Sequence, residues 1–465
     1  MAFVLGLTAC KIPAIVNQPV SGRVPEAYNA SRDTTNTAVR PWRSFFTDPD
    51  LISLIDTALK NNQELLSTLQ EVEIARNEIR AKKGEFLPRV GVGVGAGLEK
   101  VGRYTSQGAG DASTEIEPGR EVPDPLPDYG VALRANWELD IWKKLRTAKK
   151  AALTRYLSSV EGKNFVLSSL IAEVADSYYE LLALDNQLEI VKQNIGLQQN
   201  ALEIIKIQKE AMRTNELAVQ KFQAEVLSSR ALEYDIIQQI KEAENRINLL
   251  LGRYPQEIKR DGHRFLNLIP PGISSGIPSQ LLANRPDIKK AELELEASKL
   301  DVKVARAAFY PSFEISAALG FQAFKPSYLV KYPESVLYSL AGDLAAPLIN
   351  RNGIKAAFNT ANFRQMQAMY DYERTILNAY MEVSGTLSNL QNLEKRYVLK
   401  TEEVKALNQS IEISNDLFKS ARADYLEVLM TQRDALESKM ELIETKKAQM
   451  TAVTNVYRDL GGGWR

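Results

Sequence analysis

No proline occurs between Pro127 and Pro255, or after Pro347, in a chain of 465 residues. Both stretches are rich in Leu, Glu, Lys and Gln, which lose little side-chain freedom in a helix, so each predicts long helices. In the first, Leu167, Val174, Leu181, Leu188, Ile195 and Leu202 recur every seven residues, with Leu170, Leu184, Val191 and Ile205 three places on. In the second, Val383, Leu390, Tyr397, Val404, Ile411 and Phe418 do the same. Sustained heptads of this kind describe helices packed lengthwise against one another. A helix from about Lys143 to Met212 would be roughly 100 Å long, more than a compact domain can enclose. A break near Thr214 lets a second helical stretch, Val219 to Leu251, run back along the first. The later half repeats this turn near Ala423, after which Leu429, Leu436, Ile443, Met450 and Tyr457 again mark heptads. The halves lie about 200 residues apart, and Tyr178 with Glu180 recurs as Tyr380 with Glu382. A duplicated helical hairpin follows.

Periodicity alone leaves a coiled-coil rod open, and the material in front of each hairpin argues against it. From Tyr129 to Ile141 the chain reads YGVALRANWELDI, with Tyr129, Val131, Leu133, Ala135, Trp137, Leu139 and Ile141 on one face and Arg134, Asn136, Glu138 and Asp140 on the other. Ser312 to Ala323 alternates likewise, and Val90 to Glu99 and Val336 to Leu348 supply partners. Four strands of about ten residues result, apolar on one side. A half-buried soluble sheet and a membrane-spanning β-sheet both fit that pattern. In a membrane, four strands cannot close a barrel and an open edge in lipid is costly, so the spanning reading demands two or three copies, giving eight or twelve strands. The stretch Val101 to Asp128, rich in Gly, Pro, Asp and Ser, reads as a solvent-exposed loop, with Lys325 to Glu334 as its shorter counterpart. Each half also opens with a helix, about Leu51 to Phe86 ending at FLP and about Ser279 to Phe309 ending at FYP, where the proline stops the helix and starts the strand.

Composition removes most chemistry. Lys plus Arg and Asp plus Glu both number 58 and are spread along the chain, which argues against nucleic acid. One cysteine excludes an internal disulfide, and one histidine leaves too few soft ligands for a zinc or haem site. A histidine-based catalytic triad would rest on His263 alone. No catalytic residue, metal ligand or cofactor is therefore expected. No run of about 18 apolar residues makes a transmembrane helix. Near the N-terminus, Leu7, Thr8 and Ala9 precede Cys10, the only cysteine, and resemble a bacterial lipobox. On that reading residues 1–9 are the remnant of a signal peptide and the Cys10 thiol carries diacylglycerol. Lys11 follows where an aspartate would favour retention at the inner membrane.

At this point the motifs match a family. WELDIWKK (Trp137 to Lys144), NRPDIKKAELELEAS (Asn284 to Ser298), the AxxAFYP ending (Ala305 to Pro311) and PLINRNG (Pro347 to Gly353) resemble TolC-like outer-membrane factors, in the lipoprotein branch that serves tripartite efflux systems. The resemblance implies a mainly α protein with β. Long α-helical hairpins would form a periplasmic tunnel, and four strands per chain would contribute to a trimeric 12-stranded transmembrane β-barrel. It implies a homotrimer in the outer membrane, a periplasmic adaptor protein, and an inner-membrane transporter of the RND or ABC type as partners. The function implied is that of a passive duct for small molecules, drugs or metals. Protein secretion of type I and a lipid-anchored coiled-coil scaffold remain the alternatives.

The expected layout is a lipid-anchored extended segment over 10–49 and a first repeat over 50–255, with its β-hairpin at 90–141 and helical hairpin at 143–251. A linker over 256–278 leads to a second repeat over 279–465, with β-hairpin 312–349 and helical hairpin 352–459. In the family the hairpin tips carry acidic rings that close the pore. Matching the family pattern onto SARADYLEVLMTQRD (Ser420 to Asp434) puts Glu427 at one ring position and Met430 where a second acid is usual, so Asp424, at the turn itself, is the other candidate. Three copies of each near an axis would concentrate negative field. In the first tip TNEL (Thr214 to Leu217) offers polar groups to an adaptor. Arg285 and Asp287 around Pro286 read as a helix start, and Glu138 and Asp140 beside Trp142 as a strand-to-helix junction. Trp137 and Trp142 suit an interfacial belt.

Overall fold

A computed structural model describes residues 14–15, 24–28, 34–347, 351–420 and 422–465. The helices are α1 (Pro49–Asn61), α2 (Gln63–Gly84), α3 (Lys144–Glu210), α4 (Glu216–Leu250), α5 (Ser279–Asn284), α6 (Pro286–Ala307), α7 (Asn352–Lys419) and α8 (Tyr425–Asp459). The strands of the larger sheet are β1 (Arg89–Glu99), β2 (Leu126–Leu139), β3 (Ser312–Ala323) and β4 (Val336–Ala345). Contacts divide the chain into two compact units, and each holds pieces of both sequence halves.

One unit comprises the described residues of 1–19 with 74–156 and 293–369. Its sheet runs in the order β1-β2-β3-β4, antiparallel throughout, so β2 and β3 join the two halves at the centre and β1 and β4 are left as edges. Register sorts the side chains by face. Val92, Leu133, Leu319 and Tyr338 stand directly opposite one another across the four strands, and so do Val94, Val131, Phe321 and Val336. The other face carries Gly91, Arg134, Ala318 and Ser339 in one row and Arg89, Asn136, Ser316 and Ala341 in another, with Gly93, Ala132, Gly320 and Leu337 between the two apolar rows. At Gly320 a Cβ would lie 2.2 Å from the Val131 carbonyl oxygen and 2.5 Å from Ala132 Cα, so only glycine lets β2 and β3 approach there. β4 ends at Ala345, short of the expected Leu348, where Pro347 cannot donate to a ladder. The segment 101–128 is more ordered than a plain loop, with a short helix, Ser106–Asp111, capped by Thr105 Oγ1 on Gly108 N, and a small hairpin of Glu115–Glu117 with Arg120–Glu121.

The other unit comprises the described residues of 24–73 with 157–292 and 370–465. Its main core joins Leu181, Val191 and Ile195 of α3, Ile236 and Ile247 of α4, Val383 of α7, and Ile443 and Val456 of α8. The expectation of an extended segment over 10–49 is corrected in part. Trp42–Phe45 forms a short helix, and Tyr28, Trp42, Phe45 and Phe46 are buried in that core, with Phe45 stacked on Tyr457 at 4.0 Å. Aromatic rings bury too much area to remain in water when a core is within reach.

The opening helix of each half is broken, which the sequence expectation did not include. α1 stops at Asn62, whose side chain accepts from Leu65 N at 2.9 Å to start α2 and donates to the Leu250 carbonyl at 3.0 Å. In the second half Pro286 cannot follow a helical residue, so α5 ends and Arg285 turns extended before α6 begins.

Candidate functional site: sheet face and hairpin tips

Among the described residues nothing covers the row of Val92, Leu133, Leu319 and Tyr338. Val92, Leu133, Leu319 and Tyr338 are 71, 50, 58 and 80% exposed. A continuous apolar face of this kind in water would be an aggregation surface; against acyl chains it is at home. The opposite face carries Arg134, Asn136, Glu138 and Glu314, the composition of a water-filled bore. Among the described residues no helix is long and apolar enough to cross a membrane.

Where the sheet meets α3, the tryptophans are anchored by their ring N–H groups. Trp137 Nε1 donates to the Phe86 carbonyl at 2.8 Å, and Trp142 Nε1 to the Pro311 carbonyl at 2.6 Å, with its ring stacked on Tyr310 at 4.9 Å. Asp140 accepts from Leu145 N at 2.9 Å and from Arg146 N at 3.0 Å, so it caps α3. Glu138 pairs with Lys144 at 2.9 Å. These acids therefore organise the strand-to-helix turn, in which Lys143 takes the left-handed conformation at φ 60°. Arg285 is buried and bonded to Asp287, Glu382 and the Asp459 carbonyl. Burial opposes its charge, but the hydrogen bonds and field of Asp287 and then Glu382 hold it more firmly protonated than usual.

The two hairpin turns have a shared geometry and different chemistry. In the first, Met212 adopts φ 56° and Arg213 N donates to the Gln208 carbonyl at 2.8 Å. In the second, Arg422 N donates to the Leu417 carbonyl at 2.9 Å. Both are Schellman-like ends that satisfy the last carbonyls of a long helix. The first turn then closes on itself: Asn215 caps α4 through Ala218 N at 3.1 Å, and Glu216 is held by Gln220 and Lys209, which lower its carboxyl below the usual range. Asp424 occupies the same cap position on α8, yet its side chain makes no capping bond. Glu427 lies in the first turn of α8, its N–H donating to the Asp424 carbonyl at 3.1 Å, and both carboxylates are exposed. Met430 follows, 48% exposed. Thus the structure brings Asp424 and Glu427 together on one helix turn. Cys10 lies outside the described residues.

The sequence reading that GxSxG is absent is corrected, and a second feature went unread. Residues 272–276 read GISSG, a string seen at hydrolase nucleophiles, but Ser274 lies in irregular backbone with its N–H donating to Thr37 Oγ1 at 2.8 Å, not on a strand-to-helix turn. The second is a set of buried polar residues inside the heptads. The row beginning at Leu170 skips Ser177 and Gln198, and that interruption was its signal.

A model of the outer membrane efflux protein family matches residues 54–253 and 277–462. The pyoverdine export outer membrane protein OpmQ of Pseudomonas aeruginosa is 27% identical, over 99% of this chain and 95% of its own length. The cation efflux system protein CusC of Escherichia coli is also 27% identical, over 99% of this chain and 97% of its own. Among solved structures, a membrane protein from Pseudomonas aeruginosa superposes with a TM-score of 0.86 at 25% identity, covering 97% of this chain and all of that one. The open-state MtrE outer membrane channel of Neisseria gonorrhoeae gives 0.83 at 22%, covering 98% of each chain.

Proposed function

Because this chain belongs to the outer membrane efflux protein family and is an outer-membrane component of an efflux system, we propose that it works as one third of a passive duct with no catalytic step and no cofactor. The observation that carries this is the exposed apolar face of a four-stranded sheet whose two edge strands, β1 and β4, have no outer partner among the described residues. Lipid satisfies the face, and only other copies satisfy the edges. Three copies give twelve strands and a bore lined by the polar rows. The cargo is small molecules, consistent with relatives named for pyoverdine export and cation efflux. A periplasmic adaptor and an inner-membrane transporter of the RND or ABC type complete the path, and the adaptor docks at the hairpin tips. Asp424 and Glu427, with three copies of each at the axis, form the gate. Cys10 carries the lipid that tethers the segment leading into Tyr28.

Purified protein in planar bilayers tests the duct. The wild type is expected to conduct little, and Glu427→Ala or Asp424→Ala to raise the open time several-fold. A protein that opens no channel even in the double variant refutes the reading. Labelling with radioactive palmitate is expected to vanish in Cys10→Ser while the assembly survives; retained label would remove the anchor from Cys10.

A further inference from the structure

Near the turns, each of the four long helices carries a buried polar residue among its apolar positions. On α3, Gln198 stands between Ile195 and Leu202; on α4, Ser229 between Val226 and Leu232; on α7, Ser414 between Ile411 and Phe418; on α8, Gln432 between Leu429 and Leu436. All four are buried, at 0, 4, 8 and 3% exposure. Each sits one helical turn from the tip core, in which Leu202, Ile205, Val219, Phe222 and Val226 pack with Phe418 and Leu429. Beyond the polar positions the main core resumes with Ile195, Leu232, Ile236 and Leu436. The two cores are separate clusters.

A polar core layer can fix helix register when its members pair. Here both amide atoms of Gln198 and the Oε1 of Gln432 have no hydrogen-bond partner among the described residues, nor does Asn194 Nδ2 one turn away. Unmade bonds of this kind lower the cohesion of the level at which they lie. Gly196 lies on α3 within the same turn, where an added Cβ would meet nothing within 4 Å, so packing does not require a glycine there.

We propose that the layer of Gln198, Ser229, Ser414 and Gln432 is the joint of the tip: the segments beyond it, with Leu202 to Val226 and Phe418 to Leu429, open as one cooperative unit while the packing above stays intact. Its role in opening the pore rests on the duct reading. Where the apolar core is broken, little cohesion must be given up to part the tip from the body. Replacing the two glutamines by leucine joins the cores and holds the tip shut.

Hydrogen–deuterium exchange on the full assembled protein reads the joint without any conduction. In the wild type, amides of 202–226 are expected to exchange together, ~100-fold faster than those of 170–191. Gln198→Leu with Gln432→Leu is expected to shrink that gap to below ~10-fold, and to cut channel open time in an otherwise conducting background such as Glu427→Ala. Exchange of tip and body in a single step in the wild type overturns the joint, and needs no variant that could fail to assemble. An unchanged gap in the leucine variant also overturns it. A tip that exchanges separately in a protein that never conducts would refute the duct and leave the joint standing.

Discussion

Asp176 lies on α3 with its Oδ1 buried, beside a cleft lined by Glu173, Glu180, Arg246, Lys447, Thr451 and Arg458. Burial pushes its carboxyl up from 3.8 to about 7, with Glu173 and Asp459 adding to the rise and Arg458 and Thr451 opposing it. Between those values the folded chain keeps a proton that the unfolded chain has released. Stability therefore falls as pH rises from about 4 to about 7 and levels off above. We expect wild-type protein to melt higher at pH 5 than at pH 8, by an amount worth roughly 2 kcal/mol, and Asp176→Asn to remove the difference. Equal pH dependence in both would show that Asp176 is charged throughout. None of this was legible in the sequence, where Asp176 falls among helical polar residues, because the shift comes mainly from tertiary burial. The positions of Asp424 and Glu427, by contrast, are legible without tertiary context: Asp424 from the turn itself and Glu427 from the family pattern laid on SARADYLEVLMTQRD.

Among the elements, the long helices were legible almost to their ends, because heptads and the lack of proline act locally. The breaks were less so. The α5 to α6 break follows from Pro286, a backbone effect that any sequence displays. The α1 to α2 break depends on Asn62 reaching the Leu250 carbonyl, a contact across 188 residues that no local pattern reveals. Removing that side chain leaves α2 uncapped and a buried carbonyl without its partner, so Asn62→Ala should destabilise the protein by about 2–3 kcal/mol. Asn62→Asp keeps the cap but cannot donate to Leu250, and should lie between them in urea unfolding. If Asn62→Ala melts like wild type, the break is set by something other than this residue.

For the whole molecule, the strand pattern predicted a need for partners, and the register makes that need testable. Within a chain β1 and β4 are separated by two strands, or ~14 Å at the usual spacing, too far for a disulfide. In a closed barrel they are neighbours across the boundary between copies. With Cys10→Ser as background, one cysteine at Val94 and another scanned along β4 should yield covalent oligomers of up to three chains and no internally crosslinked monomer. Crosslinked monomer alone would mean that one sheet curls on itself.

Tyr457 stacks on Phe45 and donates its hydroxyl to the Arg40 carbonyl, joining positions 417 residues apart. Such a contact sets a schedule. The helical hairpins can zip from their turns within local stretches of chain, whereas the niche for Trp42, Phe45 and Phe46 exists only once nearly the whole polypeptide has been brought together, at the full cost of closing that loop. The aromatic segment should thus be the last part to dock in refolding, and until it does its rings stay available to a chaperone.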